Sequence, residues 1–405
     1  MRTRCYVQGA VKVRANRRNA LTVLARLSSH RLDLREIIVE ALVDHFPQCA
    51  HDVVAVATET TEHLSRLAET AFLRLESAVK GQVAGLLRSQ LQEESVRLAE
   101  LHVLVTGFLV EKWRQRKEKK PLNSSDLAEY AKVLGNHAVA LGRSGRTDQA
   151  LVCEREVRNS FEGLVRKDRR RHEPDYATSL SNYAAYLSEV GQSDEALEHA
   201  KQALEIRRRL AQTRPDRYEP DYAGSLSNYA NGLSAVGQSD EALEHAKQAL
   251  EIRRRLAQAR PDRFEDTRLS ASCLMHFLSW LCDRHATDSP LPDPNAIPET
   301  IRPRRRPVLV LYTAFVQGCL AADEASRAKA FEQVHLAWDI LPLADRSAVR
   351  DCWLCAAAWC ETLVPEMLAQ VDWQAEWRSF KTQRHGRVPH WMVEVARRLS
   401  FRWPS

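Results

Sequence analysis

At 405 residues, with 44% hydrophobic and 28% charged side chains, the chain has the balance of a folded protein rather than a disordered one. Its formal charge of +6 excludes a uniformly basic nucleic-acid binder. Residues 1–20 carry six bases (Arg2, Arg4, Lys12, Arg14, Arg17 and Arg18) and no acid, and they account for the whole excess.

Taken in chain order, residues 1–20 read as a solvated, partly ordered basic tail that could at most touch an anionic partner. They lack the apolar core of a secretory leader. Nine cysteines at scattered spacings fit reduced thiols, so the expected compartment is the cytoplasm. Residues 17–118 place apolar side chains three and four apart, in LTVLARL, in LREIIVEALVDHF and through 53–113. That spacing predicts several helices, packed as a cap on the first repeat or forming a dimerisation element. Residues 117–125, with Pro121 and Asn123, mark a boundary.

Internal repetition then dominates. Residues 173–218 and 219–264 differ at only six of 46 positions. A decayed earlier copy keeps the period: Leu134, Ala138, Leu141, Gly145 and Ala150 precede Leu180, Ala184, Leu187, Gly191 and Ala196 by 46. Each unit predicts two helices. Asp175 or Asp221 would cap the first, which carries Leu180, Tyr183, Ala184 and Leu187 on one face. Gly191 would end it in a left-handed turn, and Ser193 would cap the second. The second carries Ala196, Ala200, Ala203, Leu204 and Leu210 on one stripe, with Arg207, Arg208 and Arg209 at its negative end and Pro215 as a stop. In the first copy Glu154 and Val157 replace Ala200 and Ala203, which predicts looser packing there.

Residues 269–282 read as the first helix of a fourth, degenerate unit. Six prolines in 288–307 predict a linker or ordered loop. Residues 307–322 form the longest uncharged stretch, 16 residues, too short for a membrane span of about 20 and therefore a buried helix. Seven of the nine tryptophans fall in 308–405, where core and interface readings are both open.

Reactive constellations are weak. Cys352 and Cys355, with Cys360 nearby and His385 and His390 well downstream, lack the spacing of a compact metal finger, so packing thiols are expected and no metal. No HExxH, phosphate-binding loop or nucleophile elbow occurs, so neither a cofactor nor a catalytic site is expected. His199 and His245 recur because the unit is duplicated. The arginine triplets at 169–171, 207–209 and 253–255 sit among acids: residues 173–218 hold eight acids against six bases. Those arginines therefore serve helix ends and neighbouring carboxylates. Arg302, Arg304, Arg305 and Arg306 have no acid nearer in sequence than Glu299, which makes them candidates for an anionic partner.

The spacing of Leu180, Ala184, Gly191, Ala196 and Ala203 resembles the tetratricopeptide repeat, and the long period with ALEIRRRLAQ resembles its kinesin-light-chain-like subclass. Arrays of this kind also occur in bacterial signalling and defence proteins. The resemblance covers residues 126–264 and implies an all-α, right-handed solenoid of helical hairpins, with helical regions at both ends. The expected division is 1–121, a helical region with the basic arm; 122–264, three repeats; 265–287, a fourth repeat or cap; 288–307, the linker; and 308–405, a Trp-rich helical region. Such arrays turn their first helices to a concave groove. Asn136, Asn182 and Asn228 recur there, beside Ser181 and Ser227, and an amide that both donates and accepts suits a peptide backbone. Bonding between helices explains the same asparagines equally well. The expected function is a non-enzymatic scaffold or adaptor holding a protein or peptide, with self-association open and no membrane contact. The alternatives are a sensor or regulatory subunit of a bacterial defence or signalling assembly, and, ranked lower, a nucleic-acid-binding subunit using 1–20 and 302–306.

Overall fold

The computed structural model describes residues 2–13, 16–59, 62–88, 90–93, 98–284, 291–299, 301, 305–341, 346, 349–368 and 371–404. Every regular element among them is helical. Contacts divide the chain into two units, 1–160 and 161–405, each described by itself.

The first unit begins with α1 (Arg2–Lys12), α2 (Arg17–His30), α3 (Leu32–Glu59), α4 (Glu62–Arg74), α5 (Ser77–Leu87) and the short α6 (Gln90–Glu93). The basic start is no free tail. Val7 and Val11, one turn apart, are buried with Leu21, Ile38, Leu42 and Phe46. Arg17 is buried too, and its guanidinium is satisfied by the carbonyls of Val11 (2.6 Å), Lys12 (2.9 Å) and Gln48 (2.7 Å) and by Asp52 (3.0 Å). Apolar burial at two positions and a fully partnered charge outweigh the solvation the composition suggested.

Next come α7 (Ala99–Lys119), α8 (Ser124–Arg143) and α9 (Thr147–Lys167). The α7 helix lies along α8, where Thr106 Oγ1 and His137 Nδ1 hydrogen-bond at 2.9 Å and Arg116 pairs with Asp126 at 2.7 Å. Asn123 caps α8 by accepting from Asp126 N at 2.9 Å. Glu154 and Val157 of α9 are both buried. Gly135 replaces the later copies' serine, and a Cβ there would lie 3.9 Å from both Val157 methyls and from Glu154 Oε2. Such distances are ordinary van der Waals contact, so α8 and α9 still leave room for a Cβ at this position.

The second unit continues with α10 (Arg169–Glu189), α11 (Ser193–Thr213), α12 (Pro215–Ala235), α13 (Ser239–Ala259) and α14 (Pro261–Leu281). Each is 21 residues long, and each packs on its successor. The first helices start earlier than their aspartates suggest. Asp168, not Asp175, caps α10, accepting from Arg171 N at 3.2 Å, and α12 starts at Pro215. Pro174 and Pro220 then lie inside these helices, in the second turn. Ser193 is the first residue of α11 rather than its cap, and Gln192, at the cap position, makes no side-chain cap bond.

The turns follow the period closely. Gly145, Gly191 and Gly237 have φ of 79°, 80° and 87°. The following amides close back on Leu141, Leu187 and Leu233 at 2.8–2.9 Å. Forty-six residues beyond Gly237, Asp283 takes the same conformation (φ 52°), and Arg284 N bonds Ser279 O at 2.8 Å. The fourth unit therefore keeps its turn without the glycine, as an aspartate can.

After the ordered segment 291–299, α15 (Arg305–Leu320) and α16 (Glu324–Ile340) form a hairpin, followed by α17 (Arg350–Leu363), α18 (Trp373–Gln383) and α19 (His390–Arg398). Pro307 stands in the first turns of α15, not in the linker. No helix among the described residues is long and apolar enough to cross a membrane. Five of the C-terminal tryptophans, at 338, 353, 359, 373 and 377, are core residues; Trp338 stacks on Trp353 with ring centroids 4.3 Å apart. One apolar core joins them to Leu226, Leu233, Leu243 and Leu250 of the repeats.

The Trp353 indole donates to His335 Nδ1 at 3.1 Å, and burial depresses the His335 pKa to about 4. Because the folded value lies below the unfolded one, near 6.5, His335 supports the fold above pH 6.5 and costs stability as pH falls from there towards 4. Urea unfolding of wild type and His335→Gln at pH 7 and pH 4.5 should show wild type losing about 1–3 kcal/mol more than the variant. Parallel losses would rule out this role.

Candidate interaction groove

The first helices are the inner layer of the second unit: α10 touches α12 and α12 touches α14, whereas contacts between α11 and α13 are sparse. Paired arginines hold the outer layer. Glu173 receives Arg169 (3.0 Å) and Arg209 (2.6 Å), and one period later Glu219 receives Arg255 (3.0 Å). Arg207 crosses to Ser225 Oγ at 2.9 Å, and Arg253 to Thr267 O at 3.1 Å. His199 and His245 each lie edge-on to Tyr183 and Tyr229, with centroids 5.0 Å apart, so their recurrence is repeated packing.

Between α10 and α12 runs a trough of about 330 Å³. Its floor is small because Ala196 and Ala200 of α11 lie beneath it, and Ala184 and Gly232 leave its walls low. Its rails are polar: Ser181 and Ser188 on one side, Asn228 and Asn231 on the other. A Cβ at Gly232 would come 3.1 Å from Leu197 Cδ1, so glycine lets α12 approach α11 closely. Two turns of helix, about 10 Å, separate Ser181 from Ser188, the reach of about three residues of extended chain.

Ser188, Asn228 and Asn231 also line a second cavity, of about 410 Å³, which reaches from α12 to the C-terminal helices. Ser227 and Ser234 of α12 and Arg253 of α13 line it, together with Asp351, Arg384 and Trp391. Burial raises the Asp351 carboxyl above its usual range while Arg384 opposes the shift, and burial lowers Arg384 while Asp351 opposes that.

The segment 384–398 bounds this region by crossing the row of turns. The Arg384 carbonyl lies where a Gly191 side chain would be, and Arg387 Nη1 donates to Gly191 O at 3.3 Å. The His390 ring covers Gly237, and Arg398 reaches Asp283 (2.7 Å) and the carbonyls of Trp280 and Leu281.

The asparagines are thus unequal. Asn228 lines both cavities; Asn182, half-buried on α10, lines neither; Asn136 is half-buried on α8 of the first unit. Ser181 lines the trough and Ser227 the second cavity. Asn231 gave no periodic signal because it does not recur. Its signal was difference rather than repetition. Among the six changes between the copies, Ala185/Asn231, Tyr186/Gly232 and Glu189/Ala235 cluster at these cavities.

Of the linker arginines, 302 and 304 lie outside the described residues. Arg305 pairs with Asp266 at 3.4 Å, an acid distant in sequence, and Arg306 Nε donates to Ile297 O at 3.4 Å. Cys352, Cys355 and Cys360 are buried along α17, and burial pushes all three thiols up, Cys360 to about 12. No group of three or more His, Cys, Asp or Glu among the described residues is arranged to hold a metal ion.

The family model described as tetratricopeptide repeat matches residues 177–215 and 223–262, each match spanning most of one hairpin. The chain carries tetratricopeptide repeats. No curated protein matches it. Among solved structures it is similar to BtubC (BKLC) from P. vanneervenii, at 16% identity and a TM-score of 0.35, covering 72% of this chain and 94% of that one. It is also similar to a Rap protein complexed with Competence and Sporulation Factor, at 13% identity and a TM-score of 0.46, covering 88% and 89%. The tetratricopeptide array makes this a protein–protein interaction scaffold, a fold whose usual work is binding rather than catalysis.

Proposed function

We propose that the scaffold holds an extended segment of a partner protein in the trough between α10 and α12. The carrying observation is the facing pair of polar rails, Ser181 and Ser188 against Asn228 and Asn231, over an alanine floor too shallow to select a large side chain. Main-chain N–H and C=O groups of the segment would exchange hydrogen bonds with the two amides, which favours a sequence-tolerant hold. Asn228 and Asn231 carry this role, and Asn182 does not.

Affinity purification with quantitative mass spectrometry tests the reading on the full chain. Asn228→Ala/Asn231→Ala should lose proteins that wild type retains, by about tenfold if two backbone hydrogen bonds go, while Asn182→Ala keeps them. Equal recovery with all three proteins would refute the trough as the binding surface.

A further inference from the structure

The loops that join one repeat to the next lie at the opposite end of the hairpins from the glycine turns. There α11 and α13 end and α10, α12 and α14 begin, each helix 21 residues and so about 30 Å long. The Arg209–Glu173 and Arg255–Glu219 ion pairs tie neighbouring loop ends together. The three loops, 167–171, 213–218 and 259–264, hold eight bases and three acids. The acids have a local reason. Asp168 caps α10, and Asp216 and Asp262 stand in the first turns of α12 and α14, where the positive helix end favours them.

The bases have no such reason. Arg171, Arg217 and Arg263 recur at 46 residues, each exposed and each the third residue of its helix. A cation in that turn meets the positive end of the dipole and is disfavoured. Arg207 and Arg209 reach partners, but these three side chains have no hydrogen-bond or ion-pair partner among the described residues. Arg217 and Arg263 lie over the rings of Tyr218 and Phe264, 5.2 Å from each centroid, which leaves the guanidinium N–H edge free to donate. Arg170, Arg214 and Arg260, also exposed and without a polar side-chain partner among the described residues, flank this row. No large apolar side chain is exposed on the three loops, so they do not suit a lipid surface.

We propose that this arginine edge of the repeats binds the phosphate backbone of nucleic acid. Each guanidinium presents two parallel N–H groups to a phosphate. A cation repeated once per hairpin fits a polymer whose charge repeats as regularly, which an acidic peptide does not. The edge shares no residue with the trough, so this inference and the peptide hold can fail separately.

Fluorescence anisotropy on the full chain tests it, with a labelled DNA duplex of about 20 bp titrated between about 50 and 200 mM salt. Wild type should bind with Kd on the order of 10 µM at the lowest salt, and log K should fall with log salt at a slope of roughly −3 to −5. Arg171→Gln/Arg217→Gln/Arg263→Gln should bind about tenfold more weakly or worse and flatten that slope by about 2 to 3. Losing three first-turn cations relieves the helix dipoles, so this variant should match wild type in circular dichroism. Removing as much charge from exposed positions of the first unit, in Arg26→Gln/Lys119→Gln/Lys120→Gln, should leave affinity within about threefold. No binding at about 0.2 mM protein and the lowest salt would overturn the proposal. So would equal losses in the two triple variants, or competition by poly-glutamate as strong as by unlabelled duplex of matched charge.

Discussion

Replacing Trp353 with alanine should cost about 3–5 kcal/mol and lower the melting temperature of the repeats together with that of the C-terminal helices. The side chain is 1% exposed, stacks on Trp338 with rings inclined by 8°, and donates its indole N–H to His335. Truncation leaves a cavity that rigid neighbouring helices cannot fill, and it strands a buried ring nitrogen. For a unit of this size the loss corresponds to roughly 6–20 °C. The sharper expectation concerns cooperativity. Because one apolar core runs from Leu226 and Leu243 to Trp353 and Trp377, amides of α12 and α13 should lose hydrogen-exchange protection along with those of α17. If α12 and α13 keep wild-type protection while α17 opens, the shared core is refuted.

Alanine at Gly145, Gly191 and Gly237 should give three different costs from one repeated position. All three glycines have positive φ near 80°, so each alanine pays the left-handed penalty of about 1–2 kcal/mol. At Gly145 nothing lies within 4 Å of the new Cβ, and the cost should stop there. At Gly237 the Cβ meets the His390 ring at 3.1 Å, and that exposed ring can swing aside. At Gly191 it meets the Arg384 carbonyl oxygen at 2.6 Å, which is backbone and cannot rotate away. That variant should lose about 3 kcal/mol or more and displace the segment 384–398 from the turns. Chemical denaturation gives the ranking, and tryptophan emission from Trp391 reports the displacement. Equal costs at all three sites, or an undisturbed Trp391 in Gly191→Ala, would contradict the seating of this segment.

Much of the repeat region was legible because near-identical copies expose a helical period twice over. Gly191 and Gly237, the alanine stripe and the arginine–glutamate pairing all follow from local chemistry repeated at 46. Helix starts were less so: Asp175 looks like a cap, but Asp168 and Pro215 act earlier, and Pro174 and Pro220 are carried inside. That Glu154 and Val157 lie beside Gly135 needs both helices in view, since neither sequence segment alone signals it. Long-range events were not legible at all. Nothing periodic ties Arg384, His390 and Arg398 to turns more than a hundred residues earlier, nor Arg305 to Asp266. The unequal settings of the asparagines were hidden for the same reason: identical positions meet different neighbours, Asn228 lining both cavities and Asn182 neither. Where repetition ends, at Asn231 and Gly232, the proposed site begins.

Whether the polar rails of α10 and α12 hold extended polypeptide is decided by a direct binding titration. A labelled peptide selected on the wild-type full chain is titrated by fluorescence anisotropy against wild type, Asn182→Ala and Asn228→Ala/Asn231→Ala, all with matching circular dichroism. Affinity should be unchanged in Asn182→Ala and fall by about tenfold or more in the double variant. Equal affinity for all three proteins would contradict a hold by the rails.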